Sequence, residues 1–319
     1  MKQLLSSDGM RRYERKIFAS KIGDETPDSF DAFVPDDGYI KNLIPKKSDD
    51  SHKGDFGRLL VIAGSVGMTG AAYLSCMGAL RSGCGLVTLA IPQNLNSVME
   101  IKLTEAMTVP LDCCDKITYA AASKVLKDIN RYNAVVIGPG LGASTDVSDI
   151  ISDILKSGVP AVIDADGINS IAPNINILRD GVSPVLITPH PGEFSRITGK
   201  PISEIQKNRL TLAKEFASQY NTVIALKGAS TVVATPGGES MINPTGNRGM
   251  ATGGSGDVLS GIAGAFMAQG MTAKDAACAA VYVHGAAGDI AALRQGKISL
   301  IASDICDSLP MAFKRIMGE

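Results

Sequence analysis

The sequence predicts an α/β fold: a mostly parallel central sheet covered by helices on both faces and finished by a β-meander. Three observations predict it. Short apolar runs alternate with segments of helical spacing from about residue 58 onward, the pattern of strands buried on both faces. The runs end in turns rich in Gly, Pro or Asp, and in such sheets ligands bind at the carboxyl ends of the strands. From residue 222 onward three apolar runs are joined by tight turns, which argues for antiparallel neighbours.

Taken in order, residues 6 to 23 carry Met10, Tyr13, Ile17, Phe18 and Ile22 at helical spacing, with Ser7 or Asp8 as cap, and predict a short amphipathic helix. Residues 24 to 55 are rich in Asp, Pro, Gly and Lys without sustained periodicity and read as a linker. The compact domain is expected from about Lys53, which divides the chain into 1–51 and 52–319. Strands are expected at Arg58 to Ala63, Leu86 to Ile91 (stopped by Pro92), Ala134 to Ile137, Pro160 to Asp164 and Val185 to Thr188, with a helix from Thr69 to Ser82. One helix is expected from about Ile202 to Tyr220. The meander is Thr222 to Leu226, Thr231 to Ala234 and Ser240 to Ile242. Two closing helices are placed at about Ala273 to Leu293 and Ser303 to Met317.

Composition narrows the function. The 31 basic and 32 acidic residues give a net charge of -1 and form no basic block, which argues against nucleic acid as a partner. Apolar stretches are broken by Gly, Pro or charge short of the ~20 residues of a membrane span, and the N-terminus is polar. A soluble, cytoplasmic protein is the expectation. The six cysteines at 76, 84, 113, 114, 278 and 306 show neither a CxxC pair nor a histidine at metal-ligand spacing, and read as reduced and mostly buried.

The chemistry concentrates in residues 244 to 261. Glycines at 246, 249, 253, 254 and 256 run into Val258, Leu259, Ile262, Ala263 and Phe266, which have the spacing of a helix with one buried face. A glycine-rich loop feeding a helix N-terminus can hold phosphate on unpaired N–H groups. Asp257 is out of place in a simple anion cradle, because a carboxylate and a phosphate repel. It fits if it takes a proton from a hydroxyl that then meets a phosphoryl group on the same loop. The plainer reading is a helix cap; five glycines in the preceding eleven residues favour chemistry.

Other candidates have plainer readings too. Lys227 to Thr231 form a turn between apolar strands, where a lysine meets either phosphate or solvent. His190, between Pro189 and Pro191, is presented from a stiff loop; its prolines also suit the start of a helix. Asp164 and Asp166 touch magnesium or cap a turn, and both readings stay open. His52 and His284 read as structural. Gly138 to Gly142 reads as a strand-end turn against a substrate. No Walker loop occurs, and no Gly-x-Gly-x-x-Gly follows the first strand.

Seven motifs in one order resemble the NAD(P)H-hydrate dehydratase family, whose fold is ribokinase-like. They are His52-Lys53-Gly54 with Gly57-Arg58, Ala63-Gly64-Ser65 with Gly70-Ala71-Ala72, Gly138-Pro139-Gly140-Leu141-Gly142, Thr188-Pro189-His190-Pro191-Gly192-Glu193, Leu226-Lys227-Gly228, Asn243-Pro244-Thr245-Gly246-Asn247, and Gly253-Gly254-Ser255-Gly256-Asp257-Val258-Leu259. The resemblance implies repair of hydrated NADH or NADPH: a nucleotide phosphorylates the ring hydroxyl, and phosphate then leaves. It implies Asp257 as base, Gly254, Ser255 and Gly256 around the phosphoryl group, and Ala71, Gly140 and His190 on the hydrated dinucleotide. Lys227, Gly228, Ala229, Ser230, Thr231 and Gly256 would hold the nucleotide. ADP is favoured over ATP as donor, Mg2+ is expected with it, and a homotetramer is implied. Arg248 stands where proline is usual and Ser255 where threonine is common. Residues 3 to 23 resemble the opening helix of an epimerase domain and 32 to 52 its junction, so no epimerase activity is expected. The alternatives are a ribokinase-like kinase of a small alcohol that releases the phosphate ester intact, and a non-catalytic nucleotide sensor in which Asp257 is only a cap.

Overall fold

The structure is a computed structural model that describes residues 32–46, 48 and 50–319. Nine strands form one sheet in the order β3-β2-β1-β4-β5-β6-β7-β8-β9. In chain order, α1 is Asp37–Leu43, β1 Arg58–Ile62, α2 Thr69–Arg81, β2 Leu86–Pro92, α3 Gln93–Lys102, β3 Met107–Leu111, α4 Tyr119–Lys127 and β4 Ala134–Ile137. Then come α5 Thr145–Lys156, β5 Ala161–Ile163, α6 Asp166–Ile171, α7 Ile177–Asp180, β6 Val185–Ile187, α8 Pro191–Thr198, α9 Ile202–Lys207 and α10 Arg209–Tyr220. The chain ends with β7 Val223–Leu226, β8 Val232–Ala234, β9 Ser240–Ile242, α11 Ser255–Ala268, α12 Ala273–Ser299 and α13 Ala302–Met317. The first seven strands pair in parallel; β7, β8 and β9 pair antiparallel, as the meander predicts.

Successive strand residues point to opposite faces, and each face has its own core. Leu59 and Val61 face α2, α11, α12 and α13 in one cluster. Leu60 and Ile62 face the helices of the other cluster, including α5 and α10. Strand order reverses between β1 and β4, which opens a crevice at their carboxyl ends. The turns flanking it are tied together: Gly64 N–H donates to the Pro139 carbonyl at 2.8 Å, and Ser65 Oγ to the Gly140 carbonyl at 2.7 Å.

The structure differs from the sequence reading in four places. Residues 32–46, expected within a linker, pack onto the domain: Phe33 bridges Met241 of β9, and α1 buries Ile40 completely. Asp36 caps α1 by accepting from Tyr39 N–H, a signal that lack of periodicity over so short a helix concealed. The sequence reading missed β3, because Pro110 speaks against a strand; it is tolerated on the sheet edge. The helix expected over 202–220 breaks at Asn208, whose φ of -135° and ψ of 36° are not helical. Finally, α12 is long and apolar enough to cross a membrane by length and composition, yet 78% of its apolar window is buried inside the domain, so it is a core helix. The amphipathic helix expected over residues 6 to 23 lies outside the described residues.

Candidate active site

Asp257 lies in the first turn of α11. That turn is reached through Gly254, whose φ of 90° is left-handed and favours glycine. Glycine has no side chain to cap the helix, and none does. Ser255 N–H donates to the Thr252 carbonyl at 3.4 Å, which leaves the N–H groups of Gly256 and Asp257, without a partner among the described residues, available to an anion. Asp257 does not cap them either: its carboxylate enters no hydrogen bond with the described residues, which removes the cap reading. Burial, and next the charge of Asp164, raise its pKa to about 7, against the pull of Lys227.

Beneath this turn lies an ion pair whose carboxylate is buried and whose lysine is partly exposed. Lys227, just after β7, places Nζ 2.9 Å from Asp164 Oδ1 and 3.9 Å from Glu193 Oε2. Asp164 is wholly buried just after β5, and its Oδ2 has no hydrogen-bond partner among the described residues. In the adjacent strand-end turn Thr188 Oγ1 is likewise buried without a partner. The charges of Asp164 and Glu193 outweigh desolvation and raise the pKa of Lys227, so it stays cationic. Its ammonium is therefore engaged by carboxylates, while Gly228 and Ala229 of the same turn are exposed and Ser230 takes a φ of 56°. Arg209 supports this turn from α10 by donating to the Ala229 carbonyl. A side chain on Gly228 would collide with the Arg209 guanidinium.

His190 is the N-cap of α8. Its Nδ1 accepts from the N–H groups of Gly192 and Glu193 at 2.9 and 3.3 Å, and its own N–H donates to Glu193 Oε2 at 2.8 Å. The prolines thus do start a helix, and the ring is still half exposed at the strand ends. Burial, then Lys227 and Arg196, lower its pKa, so it is neutral. Ala71, in the first turn of α2, lies beside Gly140: a Cβ on Gly140 would stand 3.0 Å from the Ala71 methyl. Asp166 accepts from Gly142 N–H at 2.8 Å and so serves the turn, whereas Asp164 does not.

Two further groups fix the loop. Asn247, its side chain held by the Gly288 carbonyl and Asp289, accepts from Gly249 N–H. His284 of α12, read as structural, is buried with Nε2 3.3 Å from Ser255 Oγ; burial lowers its pKa to about 4, so the ring is neutral. Nothing in sequence spacing links 284 to 255. A cavity of about 240 Å³ between Phe33, Tyr39, β8, β9 and the start of α12 shares no residue with this site.

Comparison with known proteins gives the family. The model of the NAD(P)H-hydrate dehydratase family matches residues 59–311. The chain belongs to that family. It is 38% identical over 277 residues to the ADP-dependent (S)-NAD(P)H-hydrate dehydratase of Bacillus subtilis, covering 87% of this chain and 96% of the relative. It is 39% identical over 284 residues to the bifunctional NAD(P)H-hydrate repair enzyme Nnr of Moorella thermoacetica, covering 88% of this chain and 54% of the relative. The chain thus spans about half the length of that bifunctional protein. Among solved structures, that of the ADP/ATP-dependent NAD(P)H-hydrate dehydratase of B. subtilis, co-crystallised with ATP/Mg2+, aligns with a TM-score of 0.79 at 33% identity, over 90% of this chain and all of that one. The ribokinase-like fold expected from the seven motifs is the fold observed.

Proposed function

We infer that the chain is a nucleotide-dependent NAD(P)H-hydrate dehydratase in which Asp257 is the general base. The observation that carries this reading is Asp257 itself: an uncapped helix N-terminus holds a carboxylate with no hydrogen bond and a pKa of about 7. A base poised near working pH beside free N–H groups suits removal of a hydroxyl proton next to a phosphoryl group. In the proposed sequence, Asp257 takes the proton of the ring hydroxyl as its oxygen attacks the terminal phosphorus of the nucleotide, and the bond to the bridging oxygen breaks. The ring nitrogen's lone pair then expels orthophosphate from the adjacent carbon, and loss of a ring proton restores the double bond of NADH or NADPH. The protein supplies mainly position and charge.

The roles of the remaining residues follow the family resemblance, and their places around the crevice support it. Ala71, Gly140 and His190 flank the substrate side. The turn from Gly228 to Thr231, with Gly254 to Gly256, receives the nucleotide. ADP is the expected donor, after the B. subtilis relative. A resident metal does not fit the residues, since no group of three His, Cys, Asp or Glu able to hold one occurs among the described residues. Magnesium is read as arriving on the nucleotide's phosphates, and no step is routed through it. The homotetramer expected from the resemblance belongs to the same reading and is checked by light scattering.

The test is turnover of acid-hydrated NADH with magnesium and either ADP or ATP. Reduced-nicotinamide absorbance and orthophosphate should rise together and be lost in Asp257→Asn while nucleotide still binds. Absence of both signals from the unaltered protein with either donor would overturn the reading, and a phosphate ester without restored absorbance would make it a kinase.

A further inference from the structure

We propose that the Asp164–Lys227 ion pair, seated against Gly256, is a positioning device for the base: it fixes the charge that Asp257 feels. The proposal rests on the dehydratase reading for its catalytic consequence. Its structural premise is independent of that reading.

The two side chains converge one residue before the base. A Cβ on Gly256 would stand 3.1 Å from Lys227 Nζ and 3.7 Å from Asp164 Oδ2, so the pair lies in near contact with the helix backbone there. Asp164 is itself held with some force. The next residue, Ala165, has φ 50° and ψ -118°, a strained conformation for a residue with a side chain. Behind it, a Cβ on Gly138 would stand 1.9 Å from the Asp164 carbonyl oxygen, so the two turns are in backbone contact.

Stability does not account for the pair. Buried ion pairs are often no better than apolar residues of similar volume, and the unpartnered Oδ2 of Asp164 is a further cost. What the pair does supply is an ordered charge next to Asp257. The ionisable groups around Asp257 are Asp164 and Asp166 from the turn after β5, Glu193 from α8 and Lys227 after β7, with neutral His284 of α12 behind Ser255. Three carboxylates oppose one lysine, and each half of the pair pushes the proton affinity of Asp257 in the opposite direction.

The experiment compares Asp164→Asn, Lys227→Met and the double variant with the unaltered protein, folding being checked by circular dichroism. The acidic limb of the kcat against pH profile should move to lower pH in Asp164→Asn, and to higher pH in Lys227→Met, by roughly one unit or more each. It should return toward the original position in the double variant, in which neither Asp164 nor Lys227 is left without its partner in the pair. The titration of the Asp257 side-chain carboxyl, followed by carbon-13 NMR and assigned with Asp257→Asn, should show the same opposite displacements without any turnover. Loss of rate with no displacement, or displacement of both single variants in one direction, would show the pair to be merely structural. If the unaltered protein turns over no hydrated NADH, the dehydratase reading fails, and the carboxyl titration alone decides whether the pair governs Asp257.

Discussion

At Asp257 one carboxylate carries opposing consequences for rate and stability. Its pKa of about 7 lies above the ordinary 3.8, so the folded protein favours the protonated form, whereas general-base catalysis needs the ionised one. Activity should therefore rise with pH through about 7, and Asp257→Asn should lower kcat by roughly 10²- to 10⁴-fold, measured as return of reduced-nicotinamide absorbance. Stability has the reverse sign. The contribution of this group is fully present below pH 3.8 and is lost as pH rises through 7, on the order of 4 kcal/mol. Asp257→Asn should thus melt higher than the unaltered protein at pH 8 and nearly level with it at pH 4, by calorimetry. His284 acts in the other window. Its folded pKa of about 4 lies below 6.5, so the stability it contributes is present above pH 6.5 and lost as pH falls toward 4. His284→Gln should flatten the fall in melting temperature between those values. Sequence alone pointed to Asp257 because glycines crowd before it and no simple anion site wants a carboxylate. It left Asp164 undecided between magnesium and a turn, because the ion pair with Lys227 joins strand ends 63 residues apart and no local spacing reports such a pairing.

Between residue and fold stands the crossing of α2 and α11, the element that aims Asp257. The helices meet through glycines: a Cβ on Gly261 would stand 2.0 Å from the Ser75 carbonyl oxygen, and one on Gly78 would stand 2.5 Å from that of Val258. On the sheet side, a Cβ on Gly264 would stand 2.2 Å from Val136 Cγ2. Backbone cannot yield as a side chain end can, so Gly261→Ala must push the helices apart. It should cost about 1–3 kcal/mol, the range for overpacking, by urea denaturation, and should lower kcat as the first turn of α11 moves. Gly253→Ala is the control: no atom lies within 4 Å of its added Cβ and its φ is not left-handed. Equal losses from both changes would sink the argument. Periodicity showed that α11 has a buried face; that Ser255 and Val258 through Ala268 are all buried was not legible, because α11 is enclosed by the sheet, α2, α12 and α13 together. Apolar runs such as Ala134–Ile137 were legible because both their faces are covered, whereas β3 at the edge was not.

Over the whole molecule, the sheet order sets the loops after β1, β4, β5, β6 and β7 along one edge, which is why motifs scattered from Gly64 to Lys227 can serve one crevice. The lateral margin of the sheet at β9 is held by the segment that the sequence reading took for a linker. Phe33 donates to the Ser240 carbonyl and accepts from Ile242 N–H, at 2.9 and 2.8 Å, covering part of the edge of β9. Four residues on, Asp37 Oδ1 receives Tyr282 Oη at 2.7 Å and an Arg315 NH group at 3.0 Å, and Lys41 reaches the Met317 carbonyl. One short helix thereby touches β9 through its leading segment, and α12 and α13 through its own side chains. Ile40, wholly buried in the same core cluster as α11 and α12, supplies the apolar part. If this segment is part of the domain, Ile40→Ala should cost about 2–5 kcal/mol, as for other buried isoleucines, in a single cooperative urea transition. Asp37→Asn, which weakens only partly exposed pairs, should cost less than about 1 kcal/mol. A true linker would show neither loss. Because the segment's hydrogen bonds go to β9, α12 and α13 and not to the strand-end turns, Ile40→Ala should leave KM for the nucleotide unchanged at temperatures below its melting transition. A raised KM there would mean that strain at this edge reaches the strand ends through the sheet.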